Sequence, residues 1–456
     1  MVCGEPGEYR EKCGVLTCPF LFGASMRILL VVAYFIPEIG SAAHIYFDLA
    51  KAFAERGHIV DVITSYPREF NLNKEDQGKE FPLEEEVEGV TIYRCKHPAN
   101  RDNIFVRGLE HFYLPYYYFK KYREVGKKYD VCLMYIPPLP LYYLAKKIKR
   151  YDGTPSVLNF QDFHPQELTE VGVLKNPVMI KVLEHIEGEA YRHADHITVL
   201  SHGGIEYVQQ RGADPKKVTH IFNSVSLSEF NGLVHRKDFK EREGIEDKFL
   251  ISYAGILSPY QGIDNILDTA KALRDHDDTI FCIAGDGAEK RHLKTRIHLE
   301  EINNVRLLSL LPRAEYFNLV NSSDVSFISL DERMKAPCLP GKTINLMACS
   351  QPIIAMVATE SETADVIRKA GCGIVVKPGD VASIRSAVLR LKEDASLREA
   401  MGSNGRRYLE KNMSLEENIA LYEEIFHGLS GDGLLAGRLS SSRSEDALGG
   451  LDSHGT

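Results

Sequence analysis

The sequence predicts an α/β protein of two doubly wound domains with parallel sheets. Short, nearly all-apolar segments alternate with longer amphipathic ones, and this alternation starts near Ile28 and again near Phe249. Strands that are apolar on both faces are typical of parallel sheets covered by helices on both sides. At roughly 100–200 residues per domain, the chain of 456 residues has room for both repeats.

Each predicted strand is a short apolar run, and the helices lie between the runs. In the first domain a helix is predicted at His44–Arg56, and polar residues 235–248 are expected to link the domains. The strands predicted in the first domain are Ile28–Val32, Ile59–Thr64, Val90–Arg94, Val131–Tyr135, Ser156–Asn159 and Ile197–Leu200. Those of the second are Leu250–Ala254, Thr279–Ala284, Val305–Leu308, Val325–Ser329, Ile353–Met356 and Gly373–Val376.

Domain limits follow from the same pattern. We expect residues 1–25 to be an extension outside the fold, because they have neither an apolar core nor the basic start of a targeting signal. The first domain is expected at 26–234 and the second at 235–429. The Gly- and Ser-rich residues 430–456 are expected to form a disordered tail. Since ligands of open parallel sheets bind beyond the carboxyl ends of the strands, the predicted site is the cleft between the domains.

Composition excludes several classes of protein. The net charge of −9 opposes sequence-independent nucleic-acid binding, and 44% hydrophobic residues exclude a disordered chain. Nine cysteines without repeated CxxC pairs favour reduced thiols and a cytosolic setting. No uncharged apolar run reaches the roughly 18 residues of a transmembrane helix. The absence of GxGxxG and of a Walker A motif removes the main support for a hydride-transfer enzyme and a P-loop ATPase.

Glycines follow several predicted strands and indicate close approach of the backbone to a ligand. Gly40 and Ser41 lie between the first strand and its helix, where amides and the helix dipole favour an anion. Gly255 ends a strand of the second domain, and Gly285 and Gly287 follow another. The alternative is that each is an ordinary turn.

Lys342 is predicted at the start of a helix, which is unfavourable for a cation unless an anion lies there too. Glu362 is predicted at another helix start, where it could accept from backbone amides or from ligand hydroxyls. The alternative is a solvated lysine and a glutamate that only caps its helix.

These segments together resemble retaining glycosyltransferases of family four, which have the GT-B fold of two Rossmann-like domains facing a cleft. The resemblance covers residues 26–429. The segments that carry it are IPEIG, QDFHPQE and AYRHADHITVLS in the first half, and YAG…QGID, IAGDG, PGKTINLMACSQPIIA and SETADVIRKAGCGIVVKPGD in the second. The subgroup it most resembles acts in colanic-acid, capsule and O-antigen synthesis and includes N-acetylfucosamine transferases.

Some positions depart from the family's pattern. Pro337 and Asn345 stand where many members have two glutamates, and Ile256 and Gln261 replace an arginine and a lysine that bind diphosphate. Gln161 precedes Asp162 where a histidine is frequent. These changes leave Lys342 as the leading candidate for neutralising the diphosphate.

The resemblance implies a transfer of a hexose or N-acetylamino sugar from a nucleotide diphosphate donor, with UDP favoured over GDP, to a glycan or lipid-linked acceptor. It implies no metal and no resident cofactor. Asp162 and His164 would face the acceptor and the reacting carbon, with Gly40 and Ser41 on the acceptor side. The residues that it assigns to the donor are Gly255, Gln261, Gly285, Gly287, Lys342, Glu362 and Thr363.

Two other activities remain open from the sequence. A UDP-N-acetylglucosamine 2-epimerase shares the two-domain fold but needs its own acid and base carboxylates. A non-catalytic sugar-nucleotide-binding partner would explain the departures from the family's motifs.

The aromatic segment Phe112–Arg123, followed by Lys127 and Lys128, predicts peripheral contact with an anionic membrane on its cytoplasmic face. The alternative is an amphipathic helix whose tyrosines belong to the core.

Overall fold

The computed structural model describes residues 24–39, 41–72, 75–98, 104–224, 237–335, 337 and 339–431. Gly40, nearly all of the expected extension and the tail beyond residue 431 lie outside the described residues. The described chain forms two α/β domains, each built on one sheet, which confirms the predicted fold class.

The first sheet has eight strands in the order β3-β4-β2-β1-β5-β6-β7-β8, all parallel except β3, which runs antiparallel to β4. Its strands are β1 (Arg27–Val31), β2 (Ile59–Ser65), β3 (Glu84–Val87), β4 (Val90–Cys95), β5 (Val131–Ile136), β6 (Ser156–Phe160), β7 (His196–Val199) and β8 (Val218–His220).

The second sheet has six parallel strands in the order β11-β10-β9-β12-β13-β14. These strands are β9 (Phe249–Ala254), β10 (Thr279–Ala284), β11 (Val305–Leu308), β12 (Val325–Ser329), β13 (Ile353–Met356) and β14 (Gly373–Val376).

Helices cover both faces of each sheet. In the first domain they are α1 (Ser41–Glu55), α2 (Ile104–Val125), α3 (Tyr142–Asp152), α4 (Gln166–Glu170), α5 (Pro177–His193) and α6 (His202–Gln210). The remaining helices are α7 (Phe239–Glu243), α8 (Asp264–Ala272), α9 (Lys290–Leu299), α10 (Arg313–Ser322), α11 (Gly341–Ala348), α12 (Glu362–Ala370), α13 (Val381–Glu393), α14 (Ala395–Asn412) and α15 (Leu415–Ser430).

The apolar strand sequences are explained by burial on both faces. In β1, Leu29 and Val31 join one hydrophobic cluster, whereas Ile28 and Leu30 join the cluster on the opposite face. Successive side chains of a strand point to opposite faces, so a strand covered on both sides must be apolar at every position.

Two elements of the first sheet escaped prediction, and the sheet is mixed rather than wholly parallel. β3 reads Glu-Glu-Glu-Val and pairs with β4 at the edge of the sheet. An acidic edge strand lacks the apolar pattern on which the prediction depended, and edge strands are commonly charged. β8 has only three residues, all partly exposed.

The aromatic helix α2 contributes to the core as well as to the surface. Leu114, Tyr118 and Tyr122 are buried at intervals of four residues, which is the spacing of one helix face. Phe112 and Tyr116 are exposed. Two tyrosines of the segment predicted to meet a membrane are therefore core residues. Among the helices of the described ranges, none is long and apolar enough to span a bilayer.

The expected range 235–429 for the second domain is wrong at its end, because α15 returns to the first domain. Leu415, Ile419, Tyr422 and Phe426 pack in the same hydrophobic cluster as β1 and α1. An amphipathic pattern shows that a helix has a buried face but not which domain buries it, so the sequence could not place α15.

A charged contact also holds α15 to the first domain and gives a testable prediction. Arg56 donates two hydrogen bonds of 2.8 Å to Glu423, and His58 lies 3.0 Å from the same carboxylate. Glu423→Ala should lower the free energy of unfolding by about 1–3 kcal/mol, because charge-assisted contacts are among the stronger ones. Urea unfolding measures the change. The exposed Glu416→Ala on the same helix is the control, and an equal effect there would contradict the assignment.

Candidate active site

Loops at the carboxyl ends of both sheets meet across a cleft. The backbone N–H of Lys335 donates to Glu170 at 2.8 Å, and Ser201 Oγ lies 3.4 Å from the carbonyl oxygen of Pro337. Arg313 and Asp48 approach to 3.7 Å. Each pair joins the first domain to the second, so the predicted cleft is bounded by the strand ends that carry the candidate residues.

Lys342 is the centre of a polar pocket in the second domain. It lies in the first turn of α11, and its ammonium donates to Gln261 at 2.5 Å and to the Tyr253 hydroxyl at 2.9 Å. The ammonium also lies 4.2 Å from the centre of the Tyr253 ring, a cation–π contact. The structure therefore brings together Lys342 and Gln261, which are 81 residues apart in the sequence.

Gly255 forms the wall of this pocket. A Cβ atom at Gly255 would lie 3.1 Å from the Lys342 ammonium nitrogen, tighter than most real contacts. A side chain at this position would therefore crowd the Lys342 ammonium and the Tyr253 hydroxyl.

Gly285 and Gly287 are required by the packing of two loops. A Cβ atom at Gly285 would lie 2.0 Å from the carbonyl oxygen of Gly255, and one at Gly287 would lie 2.3 Å from that of Leu257. The two glycines thus let the loop after β10 lie against the loop after β9. Their placement supports the pocket and accounts for the glycines without direct ligand contact.

The electrostatics of the pocket favour an anion. Burial lowers the pKa of Lys342 to about 7, so without a bound anion the lysine would hold its proton only weakly at neutral pH. The first turn of α11 adds the positive end of a helix dipole. A diphosphate bound beside the Lys342 ammonium and the amino end of α11 would be attracted by both positive charges and would stabilise them.

Lys342 predicts a pH dependence of UDP binding. A bound diphosphate should raise the pKa of the lysine, so binding above about pH 7 must take up a proton. Affinity should then fall with rising pH, by at most about tenfold per pH unit for one proton, and level off below pH 7 as far as the lysine is concerned. Calorimetry from pH 6.5 to 9 measures this slope. A flat profile for wild type would show that Lys342 stays charged even without a bound diphosphate.

Glu362 lies at the first position of α12 but faces the first domain. Its carboxylate accepts from the backbone N–H groups of His202 and Gly203, both at 3.4 Å. These amides begin α6, so the negative side chain lies at the positive end of that helix. Glu362 does not cap its own helix, since Ser361 accepts from the backbone N–H of Ala364. Thr363 is fully buried in the first turn of α12.

Asp162 and His164 occupy the loop after β6, across the cleft from the lysine pocket. β6 pairs with β7, whose following loop meets Glu362, so the two candidate residues lie one strand away from the contact between the domains. Burial raises the pKa of Asp162 to about 6 and lowers that of His164 to about 4. His164 is therefore neutral at pH 7.

Two residues of this site were not singled out from the sequence. Glu167 is buried and accepts from the backbone N–H of Phe163 at 2.8 Å, which fixes the loop between Asp162 and His164. Burial, and next the neighbouring Asp162, raises the pKa of Glu167. Tyr253 is the other, and its position in a buried strand gave no sign that its hydroxyl would accept from Lys342. Glu167 lies in the segment QDFHPQE, five residues after Asp162, and this short spacing could have indicated a second carboxylate in the same loop region.

The other predicted residues contribute less to the described geometry. Ser41 begins α1, and Gly40 lies outside the described residues. Within the ranges that the structure covers, no group of three His, Cys, Asp or Glu side chains is arranged to hold a metal ion.

Two family models match the chain, one for each domain. The model of the Glycosyl transferase 4-like domain matches residues 40–223, and that of Glycosyl transferases group 1 matches residues 235–408. Together they span most of the chain, and the second match begins at residue 235, where the predicted linker begins. Neither model is that of an epimerase.

Curated relatives and solved structures agree with the family models. The chain is 25% identical over 320 residues to the probable glycosyltransferase WbjE of Pseudomonas aeruginosa, covering 69% of this chain and 79% of that protein. It is 20% identical over 387 residues to WcaI of Escherichia coli K12, a putative colanic acid biosynthesis glycosyl transferase, covering 82% of this chain and 95% of WcaI. The structure of HepE from Anabaena in complex with UDP superposes with a TM-score of 0.65 at 15% identity, covering 88% of this chain and 100% of HepE.

Proposed function

This chain is a glycosyltransferase with the GT-B fold, and we propose that it transfers a hexose or an N-acetylamino sugar from a UDP donor to a glycan or lipid-linked acceptor of a cell-surface polysaccharide. We further propose that the configuration at the anomeric carbon is retained. The enzyme would act in the cytoplasm, peripherally at the inner face of the plasma membrane.

The observation that carries this proposal is the lysine pocket. The ammonium of Lys342 is enclosed, has a lowered pKa, and lies in the first turn of α11 beside Gly255, so a bound anion would stabilise its charge. A nucleoside diphosphate leaving group supplies negative charge and gains more of it as the bond to the sugar breaks. Lys342 and the helix dipole would then stabilise the transition state more than the ground state.

The relatives support the choice of donor and pathway class. HepE, which shares the fold, binds UDP, and WcaI is named for colanic acid biosynthesis. Lys342 and Gln261 would hold the diphosphate. The family resemblance implies that Glu362 faces the nucleotide ribose or the sugar, and to do so it would give up its contacts with the amides of α6.

Asp162 and His164 would act on the acceptor side. The acidic side chain would stabilise positive charge that develops at the reacting carbon, and the neutral His164 would orient an acceptor hydroxyl. In a front-side reaction the departing phosphate takes the acceptor proton, so no protein nucleophile is required.

A second candidate, a non-catalytic sugar-nucleotide-binding partner, rests on one specific observation. Ile256 stands where the family resemblance expects an arginine, and 68% of its surface is exposed. A partner protein would need the lysine pocket but not Asp162.

A panel of nucleotide sugars read by thermal shift tests the donor assignment. A specific ligand stabilises the folded protein by mass action, by about 2.7 kcal/mol at 100 times its Kd. We expect UDP and one UDP-sugar to raise Tm, with GDP, ADP and their sugars as controls. A panel in which no UDP compound raises Tm would overturn the proposal.

A further inference from the structure

We propose that the protein docks on an anionic lipid bilayer through the exposed start of α5 and the neighbouring basic side of α3. We call this surface the α3–α5 face. Its apolar members are Tyr143, Val173, Val178, Met179 and Val182, and its basic members are Lys146, Lys147, Lys149, Arg150, Lys175 and Lys181. This docking surface rests on the proposed function, because a membrane contact is useful to an enzyme whose acceptor is linked to a lipid.

Large apolar side chains are exposed together on this face. The exposed fraction is 70% for Val178, 49% for Val173 and 42% for Val182. Tyr143 of α3 lines one shallow groove with Val178 and Val182 of α5. Scattered exposed hydrophobics are ordinary in soluble proteins, whereas a contiguous group marks a surface that binds something.

The exposure comes from how α5 is divided. Its later residues Ile186, Ala190 and Tyr191 pack in the core of the first domain, while residues 177–182 at its start are not part of that core. The exposed turns are nevertheless well formed. Asn176 caps the helix by accepting from the backbone N–H groups of Val178 at 3.0 Å and Met179 at 3.1 Å.

Charge on the face selects the occupant. Residues 142–152 and 171–182 contain six lysines and arginines and one acidic residue, Asp152, although the whole chain carries −9. Two of the six are partly balanced, since Lys146 lies 3.8 Å from Glu189 and Lys149 pairs with Asp195. Basic residues around an apolar centre complement anionic headgroups, to which each adds about 1 kcal/mol. The same charge repels a second copy of the face.

The α3–α5 face lies close to the acceptor side of the cleft. The chain leaves the loop of Asp162 and His164, forms α4, and reaches Val173 within three residues of the end of α4. At that end, Glu170 accepts from the backbone N–H of Lys335 across the cleft. A bilayer held at the start of α5 would therefore lie beside the acceptor side of the site. An acceptor with a lipid anchor could enter without leaving its membrane.

This face differs from the aromatic segment of α2 that the sequence suggested. Tyr118 and Tyr122 of α2 are core residues. The exposed start of α5 has no such internal role, so its apolar side chains are available to a membrane.

The absence of tryptophan from the sequence gives a direct test. Val178→Trp places one fluorophore on the face, and Leu299→Trp places one at the end of α9, where the native leucine is 74% exposed. Both are mixed with vesicles of equal parts phosphatidylglycerol and phosphatidylcholine, with pure phosphatidylcholine vesicles, and with brominated lipid as a quencher. We expect Val178→Trp to shift to shorter wavelength and to be quenched with the anionic vesicles only, and Leu299→Trp to be unchanged.

Wild type should float with the anionic vesicles and be released as salt rises. Its partition coefficient should fall on the order of tenfold or more when Val178 and Val182 are both changed to Ser. Equal behaviour of the two tryptophan variants, equal binding to neutral vesicles, or no flotation would each overturn the proposal. A concentration-dependent shift without lipid, with a dimer in sedimentation, would instead identify a second copy as the occupant and overturn it too.

The test separates this inference from the proposed function. Calorimetry of UDP with the Val178→Ser, Val182→Ser variant should give the wild-type affinity, because neither valine contacts the lysine pocket. Vesicle binding without UDP binding would leave the docking surface standing and remove the proposed donor. UDP binding without vesicle binding would support the proposed donor and remove the docking surface.

Discussion

Asp162→Asn should lower kcat for sugar transfer on the order of 10²- to 10³-fold while the affinity for UDP stays unchanged. The substitution keeps the shape of the side chain and removes its charge. Asp162 is placed in the loop after β6, across the cleft from the lysine pocket, so it can act on the reacting carbon without holding the nucleotide. Stabilisation of charge that develops only in the transition state appears in kcat rather than in donor binding.

Glu206→Gln is the control for this variant, since it removes an exposed carboxylate from α6 in the same domain. It should leave kcat unchanged. Single-turnover measurements with saturating donor separate the chemical step from product release. If Asp162→Asn retained the wild-type rate of that step, the acceptor-side assignment would be wrong, and Glu167 would become the carboxylate to examine next.

Lys342→Met should weaken UDP binding roughly 10- to 100-fold without unfolding the protein. A charge-assisted contact contributes about 1.5–3 kcal/mol, and each 1.4 kcal/mol changes affinity tenfold. Methionine is an unbranched side chain of similar length, so it removes the charge that lies over the Tyr253 ring with little change in shape. Burying the charged form of Lys342 costs the folded protein stability, so the variant should melt at the wild-type temperature or above it.

Two further variants sharpen this prediction. Lys342→Arg keeps the charge and should retain most of the affinity, and Arg291→Met removes an exposed cation of α9 and should have no effect. The Lys342→Met protein should also lose the pH dependence of binding above pH 7. Wild-type affinity in Lys342→Met, or a loss of affinity in Arg291→Met, would place the diphosphate elsewhere in the cleft.

The sequence predicted those parts of the fold that depend only on neighbouring residues, such as the bounds of apolar strands. The bounds of β10, β11, β12, β13 and β14 agree with the structure at both ends, because each is an apolar run between polar turns. The placement of Lys342 at a helix start was also confirmed. Both depend on neighbouring residues only.

Other features depend on partners that are distant in the sequence. Tyr253 contacts Lys342 over 89 residues, and nothing in the strand Phe249–Ala254 distinguishes its hydroxyl from that of a core tyrosine. The return of α15 depends on Glu423 meeting Arg56 over 367 residues. The spacing of Tyr118 and Tyr122 did contain a local core signal, four residues apart on one helix face.

Glu362 shows a limit of a different kind. The sequence placed it correctly at the start of a helix, but it did not show that α6 of the other domain would lie opposite. The amides of His202 and Gly203 would therefore compete with a donor hydroxyl for this carboxylate. The competition is a property of the two domains together and has no counterpart in the sequence of either one.

The most direct test of the account is release of UDP from the donor that the thermal-shift panel selects, measured with and without a lipid-linked glycan acceptor. We predict that free UDP and a glycosylated acceptor appear together, in equal amounts, and only when the acceptor is present. The Asp162→Asn and Lys342→Met proteins should both lose this turnover, the first with donor binding intact. An epimerised donor without acceptor, or retained UDP binding with no turnover under any acceptor, would contradict the assignment of this chain as the transferase.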